Sequence, residues 1–200
     1  MSTDDNEFDN LLKRKLYRDL LFRSVIWIGV ASATGYLAVF YQGIKPLDYF
    51  ERVSKTLAPL ANTVGTFSLL LCVIAMMLKD LEATLTKPTL VAATRGYLGG
   101  VVRRLAGDLS LWTLGALMTL LATFLMALLN VTMASNEYAS VGSLGFLLVV
   151  ITILTAMANV YVRRAGPTPI VGSIRNPILI TLVYVAALAI LTGSLFYGVA

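Results

Sequence analysis

The reactive and titratable side chains of this chain are few, and their spacing is not typical of a catalytic site. Histidine is absent from the 200 residues, which excludes histidine-based acid–base catalysis and bis-histidine haem ligation. The single cysteine, Cys72, has no partner for an intramolecular disulfide, so we interpret it as a small packing residue. The segment GYLGG at 96–100 lacks the Lys-Ser/Thr that completes a phosphate-binding loop.

Three acidic residues, Asp80, Glu82 and Asp108, are candidates for a general acid and base. Neither a nucleophile nor a set of metal ligands accompanies them. We therefore expect them to act at interfaces and as helix caps, with Asp108 capping a helix that starts at residue 109. No catalytic residue, cofactor or metal site is predicted, and we do not expect an enzyme.

Long apolar stretches make up most of the chain. Hydrophobic residues account for 58% and charged residues for 14%, whereas soluble domains carry about 25% charged residues. Five stretches lack Lys, Arg, Asp and Glu, and each is long enough, or nearly so, to cross about 30 Å of hydrocarbon. They run over residues 24–42, 57–78, 109–133, 139–162 and 177–199, to within a few residues. We predict an all-α fold, a polytopic membrane bundle of five transmembrane helices occupying 24–200.

The segment before this bundle, 1–23, begins as an acidic tail. From Phe8 onward, leucines recur at helical spacing and basic residues lie between them. This pattern is typical of an amphipathic helix at an anionic leaflet. The alternative is that these basic residues are simply the solvated flank of the first span.

Basic residues predict the orientation. Thirteen of the sixteen fall in three segments, namely 1–23, a longer segment at 79–108, and the connection 163–176. Five spans place these three segments on one side of the membrane, which the positive-inside rule assigns to the cytoplasm. We therefore predict an N-terminus inside and a C-terminus outside, in a bacterial cytoplasmic (inner) membrane.

Small residues recur along several spans and predict close helix packing. Packing within one bundle is the simpler interpretation. Because five helices cannot bury every such stripe internally, contact with other copies or other subunits is the alternative. The candidates are Gly29, Ala33, Gly35, Gly115, Thr119, Thr123, Ala127 and Gly193.

Three asparagines lie in or at the ends of spans: Asn62, Asn130 and Asn159. An asparagine can join two helices through its side-chain amide, with a stabilisation of roughly 0.6–2 kcal/mol. The alternative is that the three line a polar path through the membrane.

The cytoplasmic side also carries a candidate contact surface for an acidic partner face or for anionic headgroups. Enforcing topology is the simpler role for its basic residues, and a nucleic-acid partner is not expected. The surface comprises Arg95, Tyr97, Arg103, Arg104, Arg163 and Arg164.

Two classes of function fit these observations. The first is a non-catalytic scaffold or anchor subunit of a larger membrane assembly, such as a secretion or conjugation apparatus or a membrane-anchored defence complex. The second is an oligomeric pore or small uncoupled transporter. We favour the first, because the chain lacks recognisable chemistry and has a conspicuous basic surface.

Overall fold

The computed structural model describes an all-helical chain. The backbone is described for residues 3–85, 97–129, 138–164 and 167–197, and the side chains for 16–85, 100–129, 139–164 and 167–193. Within these ranges there is no β-strand. The helices are α1 (Thr3–Gln42), α2 (Pro46–Thr84), α3 (Tyr97–Leu129), α4 (Tyr138–Arg163), α5 (Pro169–Ser173) and α6 (Pro177–Tyr197).

Four of these helices, α1 to α4, are long and apolar enough to cross a membrane, with mean hydropathies of 1.5 to 2.3. The apolar part of α6, Pro177–Gly193, is shorter over the residues described. The structure therefore supports the predicted all-α membrane bundle through four long helices. The fifth crossing and the orientation stay predictions.

The predicted basic helix and the first span form one continuous helix, α1. The side chains of residues 1–15 lie outside the described part, so the contact of this helix with headgroups stays a prediction.

Gly43 follows the end of α1 with a φ of +63°, a left-handed conformation that glycine adopts without strain. Pro46 then occupies the first turn of α2, where its fixed φ suits a helix start.

Two helices extend beyond the apolar stretches that predicted them. α2 already begins at Pro46, and α3 begins at Tyr97 rather than at residue 109. Polar residues continue a helix beyond the hydrocarbon because its hydrogen bonds are internal to the helix. Asp108 consequently lies inside α3, and the prediction that it caps this helix is wrong. Residues 86–96 of the predicted segment 79–108 lie outside the described residues.

Small side chains allow α2 and α3 to pack closely in antiparallel fashion. A Cβ atom at Gly65 would lie 3.1 Å from Cγ2 of Thr113, and Sγ of Cys72 lies 3.7 Å from the carbonyl oxygen of Ala106. On each helix one series of buried residues recurs at alternating spacings of three and four, as in knobs-into-holes packing. The series is Gly65, Ser68, Cys72, Ala75 and Lys79 on α2, and Ala106, Ser110, Thr113, Leu117, Leu120, Phe124 and Ala127 on α3. Outside these series, α2 also buries Asp80, and α3 buries Gly107, Leu114, Gly115, Ala122 and Thr123.

The other helices surround this pair. α1 and α4 pack on α3, whereas α6 packs chiefly on α2. The buried residues of α4 show the same spacing and are mostly polar: Thr152, Thr155, Asn159 and Val162. α3 is therefore the central helix, and the attachment of α6 depends on α2.

Candidate functional site

The three basic segments meet at one end of the bundle, which we call the basic end. Nη1 of Arg163 donates to Oδ2 of Asp19 over 3.2 Å and so joins α4 to α1. Nη2 of Arg103 lies 2.8 Å from Oε2 of Glu82 and joins α3 to α2. The structure thus brings together the segments that sequence analysis assigned to one side of the membrane.

Lys79 fastens the basic end of α2 to the end of α4. Its side chain is buried, and Nζ donates to the carbonyl oxygens of Tyr161 over 2.5 Å and Arg164 over 2.8 Å. The last carbonyl groups of a helix have no partner within the helix. A lysine there satisfies them and interacts favourably with the negative end of the helix dipole. Lys79 therefore acts as a cap for α4 supplied by another helix.

Asp80, the next residue, fastens α2 to the chain after α4. Its side chain is fully buried. Oδ1 accepts a hydrogen bond from the backbone N–H of Thr168 over 2.8 Å. Oδ2 accepts the Thr168 hydroxyl over 2.5 Å and the Tyr184 hydroxyl over 2.6 Å. Thr168 is also the N-cap of α5, so one carboxylate orders both the start of α5 and the first turns of α6.

Hydrogen bonds to other residues satisfy the two buried charges. Burying an isolated ammonium or carboxylate is costly, but paired and hydrogen-bonded charges are tolerated. Lys79 and Asp80 are adjacent and opposite in charge, and hydrogen bonds occupy both. We call Lys79, Asp80, Thr168 and Tyr184 the clamp. Because its polar groups are engaged with one another and with the backbone, the clamp is suited to holding helices in place.

A cavity of about 470 Å³ opens beside the clamp. We call it the basic cleft, and it is lined by four arginines, Arg103, Arg104, Arg163 and Arg164, together with Asp108 and others. Arg103 and Arg163 are held by their ion pairs, whereas Arg104 and Arg164 are exposed. Nε of Arg103 is buried without a hydrogen-bond partner within the described part of the chain. Such guanidinium groups can bind carboxylates or phosphates through two parallel hydrogen bonds.

Four of the six residues predicted for the contact surface therefore lie together in the basic cleft. The side chains of the other two, Arg95 and Tyr97, lie outside the described part. Gly107 lets α4 approach this site, since a Cβ atom there would lie 3.2 Å from Cγ of Arg163.

The predicted packing residues divide into two groups. Gly35 and Gly115 lie in close contacts between α1 and α3. A Cβ atom at Gly35 would lie 2.8 Å from Sδ of Met126, and one at Gly115 would lie 2.6 Å from Cε2 of Trp27. Thr123 and Ala127 are buried in α3 and Thr119 is half-buried. Among the described residues, nothing lies within 4 Å of a Cβ position at Gly29 or Gly193, and Ala33 is exposed.

The two predicted asparagines within the described part of the chain, Asn62 and Asn159, lie in different environments. Asn159 is fully buried, and its Nδ2 donates to the carbonyl oxygen of Gly107 over 2.8 Å and to Oγ of Ser110 over 2.7 Å. This is the joining of two helices that sequence analysis considered. Asn62 is exposed on α2, and Asn130 lies outside the described residues.

Sequence analysis missed the clamp. A signal was present, because the spacing of Gly65, Ser68, Cys72 and Ala75 continues to Lys79 and places it on the buried face of α2. The partners Thr168 and Tyr184 gave no comparable signal, since Thr168 lies in a connection and Tyr184 is one aromatic residue within an apolar stretch. Comparison of the chain with protein-family models, curated proteins and solved structures gives no match.

Proposed function

We propose that this chain is a non-catalytic subunit of a larger assembly in a bacterial cytoplasmic membrane. It anchors the assembly by binding an acidic segment of a partner chain at the basic cleft. Assemblies of this kind include a secretion or conjugation apparatus and a membrane-anchored defence complex. The observation that carries the proposal is the convergence of Arg103, Arg104, Arg163 and Arg164 on one cavity.

The convergence of the four arginines on one cavity supports partner binding over a role in topology alone. Arginines that only set orientation need to lie on one side of the membrane, and nothing requires them to line the same cavity. Here Glu82 holds Arg103 and Asp19 holds Arg163, while Lys79 fixes the end of α4. Ordered positive groups bind an acidic surface with a smaller loss of side-chain entropy than free ones.

The alternative, an oligomeric pore, is supported mainly by Asn62. This amide is exposed on α2, within the second apolar stretch. In an oligomer it would lie either in a subunit contact or along a polar path. Asn159 gives this alternative little support, because its side chain is fully buried and its Nδ2 donates to Gly107 and Ser110 of α3, although its Oδ1 has no partner within the described part of the chain.

The double variant Arg104→Gln/Arg164→Gln tests the proposal. Both side chains are exposed, so the fold should tolerate the change, and the ion pairs of Arg103 and Arg163 stay intact. The matched control is Lys45→Gln/Arg52→Gln, which removes the same charge from exposed positions in the connection between α1 and α2 and in the first turns of α2. Tagged chains would be purified in mild detergent at physiological salt from native membranes.

We expect the cleft variant to insert at the normal level but to lose its co-purifying chains, whereas the control keeps them. Equal recovery of partner chains in both variants would refute binding at the basic cleft. Partner-free homo-oligomers from the wild type would favour the pore.

A further inference from the structure

A second concavity lies between α1 and α2, over the exposed face of α3. It has a volume of about 310 Å³, and its lining includes Trp27, Ala31, Leu60, Ala61, Trp112 and Ala116. α1 packs on α3 and touches α2 only slightly, which leaves this groove open on the side where α1 and α2 separate. We call it the α1–α2 groove.

The α1–α2 groove offers an occupant a mainly apolar lining, although three threonines contribute to it. Oγ1 of Thr34 donates to the carbonyl oxygen of Val30, Thr113 donates to that of Leu109, and Thr119 donates to that of Gly115. The threonine hydroxyl hydrogens are thus used within their own helices. An occupant therefore meets methyl, aliphatic and aromatic surface, which suits a hydrocarbon chain.

Together with the turn of α1 that precedes it, the groove matches the thickness of one leaflet. Its α1 wall runs from Trp27 to Thr34, and Arg23 lies one turn before it. From Arg23 to Thr34, α1 rises about 16 Å, and half of the hydrocarbon thickness is about 15 Å. The groove itself, from Trp27 to Thr34, accounts for about 10 Å of this length, and the turn from Arg23 at the basic end supplies the rest.

The mouth of the groove combines a cation with two tryptophans. A smaller cavity of about 130 Å³, lined by Arg23, Trp27 and Trp112 among others, adjoins the groove through the two indole rings. These rings are in edge contact, with centroids 6.3 Å apart. Arg23 is half-exposed, and within the described residues its only hydrogen bond runs from Nε to Asp19. Its terminal nitrogens can therefore donate to a phosphate.

We propose that the α1–α2 groove binds one phospholipid of the leaflet at the basic end, with an acyl chain along Trp27 and Trp112 and the phosphate at Arg23. A hydrocarbon chain about 4 Å across fills on the order of 200 Å³ over 15 Å. The groove, about 310 Å³ in volume, accommodates the acyl chain, and the cation at its mouth favours a phospholipid over the apolar face of a helix from a second copy.

The chain carries its own reporter for this site, because its two tryptophans both line the groove. The purified protein in mild detergent would be titrated with phosphatidylglycerol whose acyl chains are dibrominated, and tryptophan quenching followed. A parallel titration with dibrominated phosphatidylcholine tests the contribution of the headgroup. Native mass spectrometry would count the phospholipids that each chain retains.

We expect saturable quenching, with one phospholipid retained per chain. Ala116→Phe, on the α3 floor, should fill the groove and abolish saturation. Ala61→Phe, on the α2 wall, should do the same if the first variant folds poorly. Arg23→Gln should weaken binding about fivefold, as expected for one surface cation near a headgroup. Arg52→Gln is the charge control and should bind as the wild type does.

Quenching that never saturates, or saturation that both groove-filling variants preserve, would overturn the proposal. A dimer that retains no phospholipid would also overturn it, since that result would assign the groove to a second copy.

This inference is independent of the basic cleft. Arg104→Gln/Arg164→Gln should keep the phospholipid, and Ala116→Phe should keep the partner chains, so either proposal can fail alone.

Discussion

The hydroxyl of Tyr184 donates to Oδ2 of Asp80 over 2.6 Å, across 104 residues of sequence. Among the described side chains of α6, Ile180 and Tyr184 are the buried ones, and this helix packs chiefly on α2. The bond to Asp80 is therefore a principal polar restraint on the last helix.

Tyr184→Phe should loosen α6 without unfolding the bundle. The carboxylate keeps its two hydrogen bonds from Thr168, so we expect a loss of about 1 kcal/mol in the free energy of unfolding. Titration with SDS in mixed micelles measures this quantity. Tyr36→Phe removes the same hydroxyl at an exposed position of α1 and should be neutral. Equal effects of the two substitutions would show that the bond to Asp80 contributes nothing measurable.

Lys79→Met should be more costly, about 3 kcal/mol, because it leaves a buried carboxylate without its neighbouring cation and two carbonyl groups without their donor. The double variant Lys79→Met/Asp80→Asn should lose less than the sum of the single losses. A double-mutant cycle in the same SDS titration measures the coupling. Additivity within about 0.3 kcal/mol would mean that the two charges do not compensate one another.

The apolar stretches predicted the positions of the long helices, because crossing hydrocarbon imposes a length and a composition that the sequence displays directly. Helix ends were less predictable. At Pro46 and Tyr97 the helices continue into polar sequence, where backbone hydrogen bonds rather than hydropathy determine their extent.

The basic cleft was partly predictable and the clamp was not. The positive-inside rule predicts that the four arginines share a side of the membrane, so the sequence could place them near one another. Whether they line one cavity depends on the tertiary contacts of Gly107 and Lys79. The bonds from Asp80 to Thr168 and Tyr184 depend on how the chain turns after α4, which no local pattern encodes.

Gly115→Ala should disturb the contact between α1 and α3. Its Cβ atom would lie 2.6 Å from Cε2 of Trp27, so the indole ring has to move, at a cost of roughly 1–3 kcal/mol. Tryptophan emission should shift, and the unfolding midpoint in SDS should fall. Gly29→Ala is the control on α1, since nothing lies within 4 Å of its Cβ position. If both variants behave as the wild type does, Trp27 does not pack on α3 as described.

The predicted orientation can be tested with single cysteines in a Cys72→Ala background. Ala83→Cys and Ser173→Cys should be labelled from the cytoplasm, because Ala83 lies one turn after Lys79 and Ser173 lies two residues before Arg175. Lys45→Cys, in the connection between α1 and α2, should be labelled from outside. A membrane-impermeant maleimide applied before and after permeabilisation distinguishes the two sides. Labelling of Ala83→Cys and Lys45→Cys from the same side would contradict the crossing of α2.

The most direct test of the proposed subunit role is the composition of the native particle. Tagged wild-type chain would be extracted from its own membranes in mild detergent, and the mass and stoichiometry of the particle determined by native mass spectrometry. We predict a defined complex in which other chains are present in fixed ratio to this one. A particle containing copies of this chain alone would contradict the subunit role and favour the pore.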